Sequence, residues 1–327
     1  MHKGTLMLIS VVIPLYNKEK DIVTTLRSVM CQTFTDFEVI VVNDGSTDNS
    51  ETVLTDFLSS FDEGDRILSE AVVKVKVINK PNGGVCSARN RGIEEAKGEY
   101  VALLDADDVW DKDYLQEQVS MIADFPQAAM WGINYAEVYE GKLIRRLHTG
   151  LADGFRGYVD DYFSMKNRQS DLFCSSSVVI RRSVFDVVGL FDERLRYSED
   201  IDMWFRIIAT HKVAFYDRYM VYYRYDASNR AMNGIRTLRY WLPYYSDKYK
   251  ASLYRSNSSF YLWIMRWCAV SIKRVYFSDS RQRTDAIDAV KRLDFSVLPF
   301  KYRLFFGLPY RWAAKLYQWD EKRLNNK

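Results

Sequence analysis

The chain has 327 residues, 48% of them apolar, which is enough for one large core or two moderate ones and excludes a disordered tail. Its net charge of +3 conceals an asymmetry, with 27 Lys/Arg against 36 Asp/Glu up to Arg230 and 19 against 7 from Ala231 onward. Four scattered cysteines (Cys31, Cys86, Cys174, Cys268) and three isolated histidines (His2, His148, His211) argue against a disulfide framework, zinc knuckles and histidine triads, with a reducing compartment as the default.

The apolar run Leu6 to Leu15 is too short to span a bilayer and is followed by no small-residue cleavage site, so it reads as the opening of a first strand, ISVVIPLYN, Ile9 to Asn17. A helix with Ile22, Leu26, Val29 and Met30 on one face comes next, then a second strand, FEVIVVND, Phe37 to Asp44. NDGSTDNS supplies a turn and a cap for the helix SETVLTDFLSSF, before the strand KVKVINK, Lys74 to Lys80. VCSARNRGIEEAKG reads as a helix stopped by Gly98, and YVALLDAD, Tyr100 to Asp107, as the fourth strand. This alternation is the pattern of βαβ units around a mostly parallel sheet. Farther on, CSSSVVIRR (Cys174 to Arg182) suggests a strand, SVFDVVG a short helix, EDIDMWFRIIATH (Glu199 to His211) an amphipathic helix and Lys212 to Tyr225 a long strand. From about Ile235 the chain turns helical, aromatic and basic.

Ligands of open parallel sheets bind beyond the carboxyl ends of the strands, and three polar clusters fall there: Tyr16–Asn17, Asn43–Asp44 and the run Asp105, Asp107, Asp108. Two carboxylates about 4 Å apart repel by roughly 4 kcal/mol at an effective dielectric near 20. A divalent cation removes that penalty, and oxygen ligands alone point to Mg²⁺ or Mn²⁺. On an extended chain Asp105 and Asp107 share a face while Asp108 turns away. The competing reading makes Asp107 and Asp108 helix caps. PNGG before a helix is a weak phosphate-loop signal that taken alone favours a turn, because turns use the same residues, and Asp44 is equally a ligand or the first residue of a turn. Glu199–Asp200 suit a helix N-terminus through the helix dipole, yet a transfer onto a hydroxyl with no histidine at hand needs a carboxylate base.

In their order, VVIPLYN, VVNDGSTD, NGG with SARNRGI, LLDADD, CSSSVVIRRSVFDVVGLFDE and SEDIDMWFR resemble a family 2 glycosyltransferase of the GT-A fold, over about Ile9 to Arg206. The resemblance implies an α/β catalytic domain, a Rossmann-like and mostly parallel sheet flanked by helices, over residues 1–230. Residues 1–108 would be its nucleotide-binding half, 109–230 its acceptor-binding half and 231–327 a helical extension. It implies an inverting enzyme that moves a sugar from a nucleotide donor, usually UDP-linked, to a hydroxyl of a saccharide or lipid-linked saccharide. Pro14 would belong to the nucleotide-sugar-binding residues, Tyr16 would stack on the nucleobase, and Asp44 would accept a hydrogen bond from it. Asn82, Gly83 and Arg89 would lie along the nucleotide, Asp105 near the ribose, and Asp107, with Asp105, at the Mn²⁺ or Mg²⁺. Asp200 of the Glu199–Asp200 pair would be the catalytic base. One departure is Asp226, where many relatives carry a His after the last strand; Arg224 and Arg230 are candidate phosphate contacts.

Beyond Ala231 the segments Phe260 to Phe277 and Phe305 to Trp319 mix aromatics with cations. Such helices suit the surface of an anionic membrane, or they pack on the catalytic domain and expose their cations. The expected location is cytoplasmic, and under the first alternative peripheral on the cytoplasmic face of the membrane. No nucleic-acid-binding motif accompanies the charge. Two rival functions remain: a phosphatase using its DxD as nucleophile and acid, which expects that motif on the first strand rather than the fourth, and a non-catalytic sugar-nucleotide-binding subunit.

Overall fold

Residues 9–60, 75–146, 149–160, 162–164, 172–225 and 237–325 are described by the computed structural model. The chain divides into two compact units, Met1–Glu193 with Met203–Asn233, and Arg194–Asp202 with Gly234–Lys327.

The first unit is built on a ten-stranded mixed sheet. Strands β1 (Ile9–Leu15), β2 (Phe37–Asn43), β3 (Val75–Asn79) and β4 (Tyr100–Leu103) form its parallel half in the order β3-β2-β1-β4. Helices α1 (Ile22–Met30), α2 (Ser50–Ser59) and α3 (Val85–Glu95) are the crossovers. β1 is buried along almost its whole length, as a central parallel strand covered on both faces must be, and α1 lays Ile22, Leu26 and Val29 into the same core. Gly92 lets α3 settle on β1, because a Cβ there would stand 2.3 Å from Val12 Cγ1.

The other half of the sheet contains β5 (Val109–Trp110), β6 (Ala128–Tyr139), β7 (Lys142–Arg146), β8 (Arg156–Tyr158), β9 (Val178–Arg181) and β10 (Lys212–Arg224). β9 runs antiparallel between β4 and β6, and β6 pairs in parallel with β10. Helix α4 (Tyr114–Asp124) follows β5, and α5 (Val184–Val188) follows β9, ending at Gly189 in the left-handed region. Helix α6 (Glu199–Thr210) begins in the second unit and continues in the first.

The second unit is otherwise helical. After 3₁₀ segments at Leu238–Tyr240 and Leu242–Lys250 come α7 (Ser252–Arg255), α8 (Ser258–Ser278), α9 (Arg283–Val290), α10 (Phe300–Gly307) and α11 (Tyr310–Asn325). Asn257 caps α8 by accepting the Phe260 N–H. The α8 side chains Phe260, Ile264, Met265, Cys268 and Ile272 are fully buried and form the unit's core. No helix among the described residues is long and apolar enough to cross a membrane.

Candidate active site

At the carboxyl ends of β1, β2 and β4 the predicted polar clusters come together within the first unit. β1 hands over to a loop at Tyr16, whose ring is 39% exposed, and Asn17, which adopts a left-handed conformation at φ 52°. Asn17 Oδ1 accepts the N–H groups of Thr47 (2.7 Å) and Asp48 (3.3 Å), tying the β1 and β2 loops to each other. Pro14 is tolerated in a central strand for a positional reason. Leu104 N–H donates to Val12 O and Asp44 N–H to Leu15 O, so alternation along the strand turns residue 14 toward β4, which has already ended at Leu103. The hydrogen bond that Pro14 cannot donate has no strand to receive it.

Asp44 is buried, and its carboxylate organises the NGG loop. Oδ1 accepts from Lys80 Nζ at 2.5 Å and Gly83 N–H at 2.9 Å, and Oδ2 from Gly84 N–H at 2.7 Å. Asn82 is exposed beside it, 2.8 Å from where a Cβ of Gly45 would fall. Gly45 has φ +67°, so the close approach of the two loops and the backbone conformation both require glycine.

The aspartate run is not a strand end but a tight turn. β4 stops at Leu103 rather than Asp107, and Asp108 N–H donates to Asp105 O at 3.1 Å. The crowding of carboxylates is relieved differently at each residue. Asp105 pairs with the buried Arg89 at 2.7 Å, whose guanidinium also lies 5.4 Å from the Phe191 ring centroid. Asp107 pairs with Lys18 Nζ at 2.6 Å. Burial pushes the Asp107 carboxyl above its ordinary range, Lys18 pulls it back, and Asp105 adds repulsion. Asp108 turns inward, as expected, and is fully buried. Burial first, then repulsion from Asp107 and Asp105, drives its carboxyl well above the usual range. Asp108 Oδ2 lies 2.5 Å from Ser176 Oγ, and Oδ1 accepts the Arg224 N–H at 3.2 Å, so this side chain fastens the turn to β9 and β10.

Asp105 Oδ2 and Asp107 Oδ1 have no partner among the described residues. No group of three or more His, Cys, Asp or Glu that could hold a metal occurs among those residues. Two hard oxygen donors, with the remaining positions left to phosphate and water, suit Mg²⁺ or Mn²⁺ and no softer ion.

Arg224 ends β10, and its guanidinium forms an ion pair with the buried Asp21 at 3.1 Å. It also lines a largely apolar cleft of about 540 Å³ with Val109, Ala136, Val138, Tyr219 and Tyr222. Asp226 and Arg230 lie outside the described residues.

Glu199 and Asp200 open α6 in the second unit, after Ser198 at φ 59°. Asp200 Oδ1 accepts the Ile201 N–H at 2.7 Å. The third acid of that turn, Asp202, is fully buried, pairs with Lys248 Nζ at 2.6 Å and accepts the Tyr249 hydroxyl at 2.5 Å.

Several residues of consequence escaped the sequence reading. Lys18 and Asp202 have partners far away in the chain, which no local spacing reveals. Asn90 and Arg206 belong to recognised motifs, yet their work is structural. The Asn90 amide exchanges hydrogen bonds with the Phe191 backbone, and buried Arg206 donates to the carbonyls of Val188, Gly189 and Leu190 that end α5.

A model of glycosyl transferase family 2 matches residues 10–189. The amylovoran biosynthesis glycosyltransferase AmsB of Erwinia amylovora is 43% identical over 212 residues, 60% of this chain and 62% of that one. An uncharacterized glycosyltransferase of Rickettsia typhi, RT0329, is 30% identical over 237 residues, 69% of this chain and 67% of that one. The chain spans only 34% of the length of an uncharacterized glycosyltransferase of Rickettsia felis, to which it is 27% identical over 233 residues. The crystal structure of S. aureus TarS 1-349 in complex with UDP-GlcNAc has the same fold, with a TM-score of 0.59 and 20% identity over 93% of this chain and 77% of that one. With the family match extending over more than half of its length and the acidic strand tips lying inside it, the chain belongs to glycosyl transferase family 2.

Proposed function

We propose that the protein is an inverting glycosyltransferase of the hexosyl or N-acetylhexosaminyl type, transferring a sugar from a UDP-linked donor to a hydroxyl of a saccharide or lipid-linked saccharide. The observation that carries this reading is the gathering of Tyr16, Asp44, the NGG loop, Arg89, Asp105 and Asp107 at adjoining strand tips. The relatives favour a role in building a polysaccharide or glycoconjugate, since one is named for amylovoran biosynthesis and a structure of the same fold holds UDP-GlcNAc.

The exposed Tyr16 ring offers a face for the uracil, beside a loop whose backbone Asp44 fixes in place. Asp44 has two oxygens and about four lone-pair sites, three of them used within the protein, so one remains for a donor on the base. Asp107 and Asp105 would hold Mn²⁺ or Mg²⁺, which when bound offsets the negative charge that builds on the leaving diphosphate. Lys18 and Arg89 add positive charge at the same strand tips. The role of general base falls to Asp200. Its carboxylate takes the proton of the acceptor hydroxyl, whose oxygen attacks the anomeric carbon from the side opposite the diphosphate; UDP leaves with the bonding pair and the configuration inverts.

The test is release of UDP from a panel of UDP-sugars with Mn²⁺ or Mg²⁺ supplied, comparing the wild type with Asp107→Ala and Asp200→Asn. Both substitutions should abolish transfer, and Asp200→Asn should leave UDP binding nearly intact. Phosphate release without sugar transfer would indicate a phosphatase, and donor binding without turnover on any acceptor a non-catalytic subunit.

A further inference from the structure

We propose that the α10–α11 pair of the second unit docks on an anionic lipid surface. Of the two aromatic and basic segments, α8 is taken up by the unit's own core, and its Lys273 is buried over the rings of Phe305 (4.7 Å) and Tyr317 (5.2 Å). The pair α10–α11 is arranged otherwise. Tyr302 and Phe305 of α10, and Tyr310, Ala313 and Tyr317 of α11, turn inward, and the Phe277 ring of α8 stacks on Tyr310 (5.9 Å) and Tyr317 (4.8 Å). Helical periodicity places the opposite faces of both helices away from α8. Those faces carry Phe300 (70% exposed) and Leu304 on α10, and Trp312 (67%) and Trp319 (59%) on α11, with Leu308 exposed at the junction. Lys301, Arg303, Arg311 and Lys315 are exposed among them, and the sequence from Phe300 to Trp319 contains no acidic residue.

Large aromatic rings interleaved with cations match a surface that offers anionic headgroups and, just beneath, hydrocarbon. A second copy of the same face fits poorly, because a two-fold contact would set these cations against their own kind, and no carboxylate lies between Phe300 and Trp319 to receive them. Each cation near an anionic membrane strengthens binding roughly fivefold and each loses that gain at high salt.

The experiment is flotation of the full chain with vesicles of phosphatidylcholine alone and of phosphatidylcholine with phosphatidylglycerol, at low and high salt. One variant combines Lys301→Gln, Arg311→Gln and Lys315→Gln, leaving Arg303, whose guanidinium donates to the Phe295 carbonyl. A second combines Trp312→Ser and Trp319→Ser. The wild type should float with anionic vesicles and hardly with neutral ones. The charge variant should lose roughly a hundredfold in partitioning, three cations at about fivefold each, and the tryptophan variant about tenfold or more. Unchanged thermal unfolding shows that each variant is folded, and the charge variant alone decides the matter should the tryptophan variant unfold. The proposal is overturned if the wild type ignores anionic vesicles, if it binds neutral and anionic vesicles alike, or if the charge variant binds as the wild type does. It is also overturned if the substitutions break a dimer, seen by light scattering, while vesicles go unbound. UDP release in vesicle-free solution, measured in parallel, separates a failure of docking from a failure of the enzymatic reading.

Discussion

The carboxylates at the strand tips of the first unit and those in the first turn of α6 are handled in contrasting ways. At the tips, Asp44, Asp105 and Asp107 each meet a basic side chain, Lys80, Arg89 and Lys18 respectively, while burial drives the Asp108 carboxyl well above its ordinary range. In the α6 turn a single residue, Asp202, takes both Lys248 and the Tyr249 hydroxyl, whereas Asp200 Oδ1 accepts its neighbour's N–H. Acidic density alone therefore does not separate work from support. Within the Asp105–Asp108 turn the difference lies in the oxygens, since one each of Asp105 and Asp107 has no partner among the described residues while both of Asp108 are engaged.

The sharpest way to break that distinction is to compare neighbouring acids. Asp107→Ala and Asp200→Asn should each lower transfer by about 10³-fold or more, the scale of a lost catalytic group. The melting temperature of Asp200→Asn should stay within a few degrees of the wild type. Asp202→Ala, two positions on, strands the Lys248 charge and a buried tyrosine hydroxyl and should cost about 3–5 kcal/mol of stability, read as a lowered midpoint in urea. If Asp202→Ala left the midpoint unmoved while Asp200→Asn lowered it, the assignment of support and catalysis within this turn would be reversed.

The parallel half was largely legible because its strands alternate with amphipathic helices at regular spacing, and observed β1, β2 and β3 fall within the expected ranges. β6 was not. Its residues Ala128 to Ile133 are buried on both faces, so no two-residue alternation marks it as a strand, and Gly132 in its middle weakens the signal further. That glycine has a reason visible only in three dimensions, since a Cβ would lie 2.4 Å from the Phe173 ring. At the site, the motifs placed Asp44, Asp105 and Asp107 at the sheet's carboxyl edge. Their partners Lys80, Arg89 and Lys18 could not be paired from spacing, because Lys18 reaches Asp107 across 89 positions of sequence. The extended-chain argument for Asp105 and Asp107 also failed in detail, as the backbone there turns through an Asp105–Asp108 hydrogen bond.

Glycines of the loop that Asp44 holds sharpen the comparison at a smaller scale. Gly45→Ala combines a left-handed backbone with a contact of 2.8 Å to Asn82 N, so it should cost about 1–3 kcal/mol and displace the NGG loop. Gly84→Ala faces the same kind of strain at φ +89° but has open space around the added methyl. Both should lower the melting temperature, and Gly45→Ala should weaken UDP binding more, as measured by titration calorimetry. Equal losses of UDP affinity would mean that loop spacing matters less than the Asp44 hydrogen bonds.

The smallest effect is expected where a carboxylate fastens the second unit near the surface. Asp294 accepts from Ser296 Oγ (2.6 Å) and N–H (2.9 Å), the Tyr261 hydroxyl (2.7 Å) and Arg255 (2.7 Å), and these donors, Ser296 foremost, hold its carboxyl well below the ordinary value of 3.8. A depressed folded pKa means that the stabilisation is complete above the unfolded value and is lost as the pH falls below it, since the unfolded chain then binds the proton that the folded chain resists. Asp294→Asn should therefore cost about 1 kcal/mol at neutral pH, an allowance for a partly solvent-screened pair. The gap between variant and wild type should narrow as the pH drops below 3.8. Urea unfolding at a series of pH values measures this directly. A gap that stays constant down to strongly acid pH would show that Asp294 contributes through packing rather than charge, and would place it with the buried supports rather than with the exposed carboxylates.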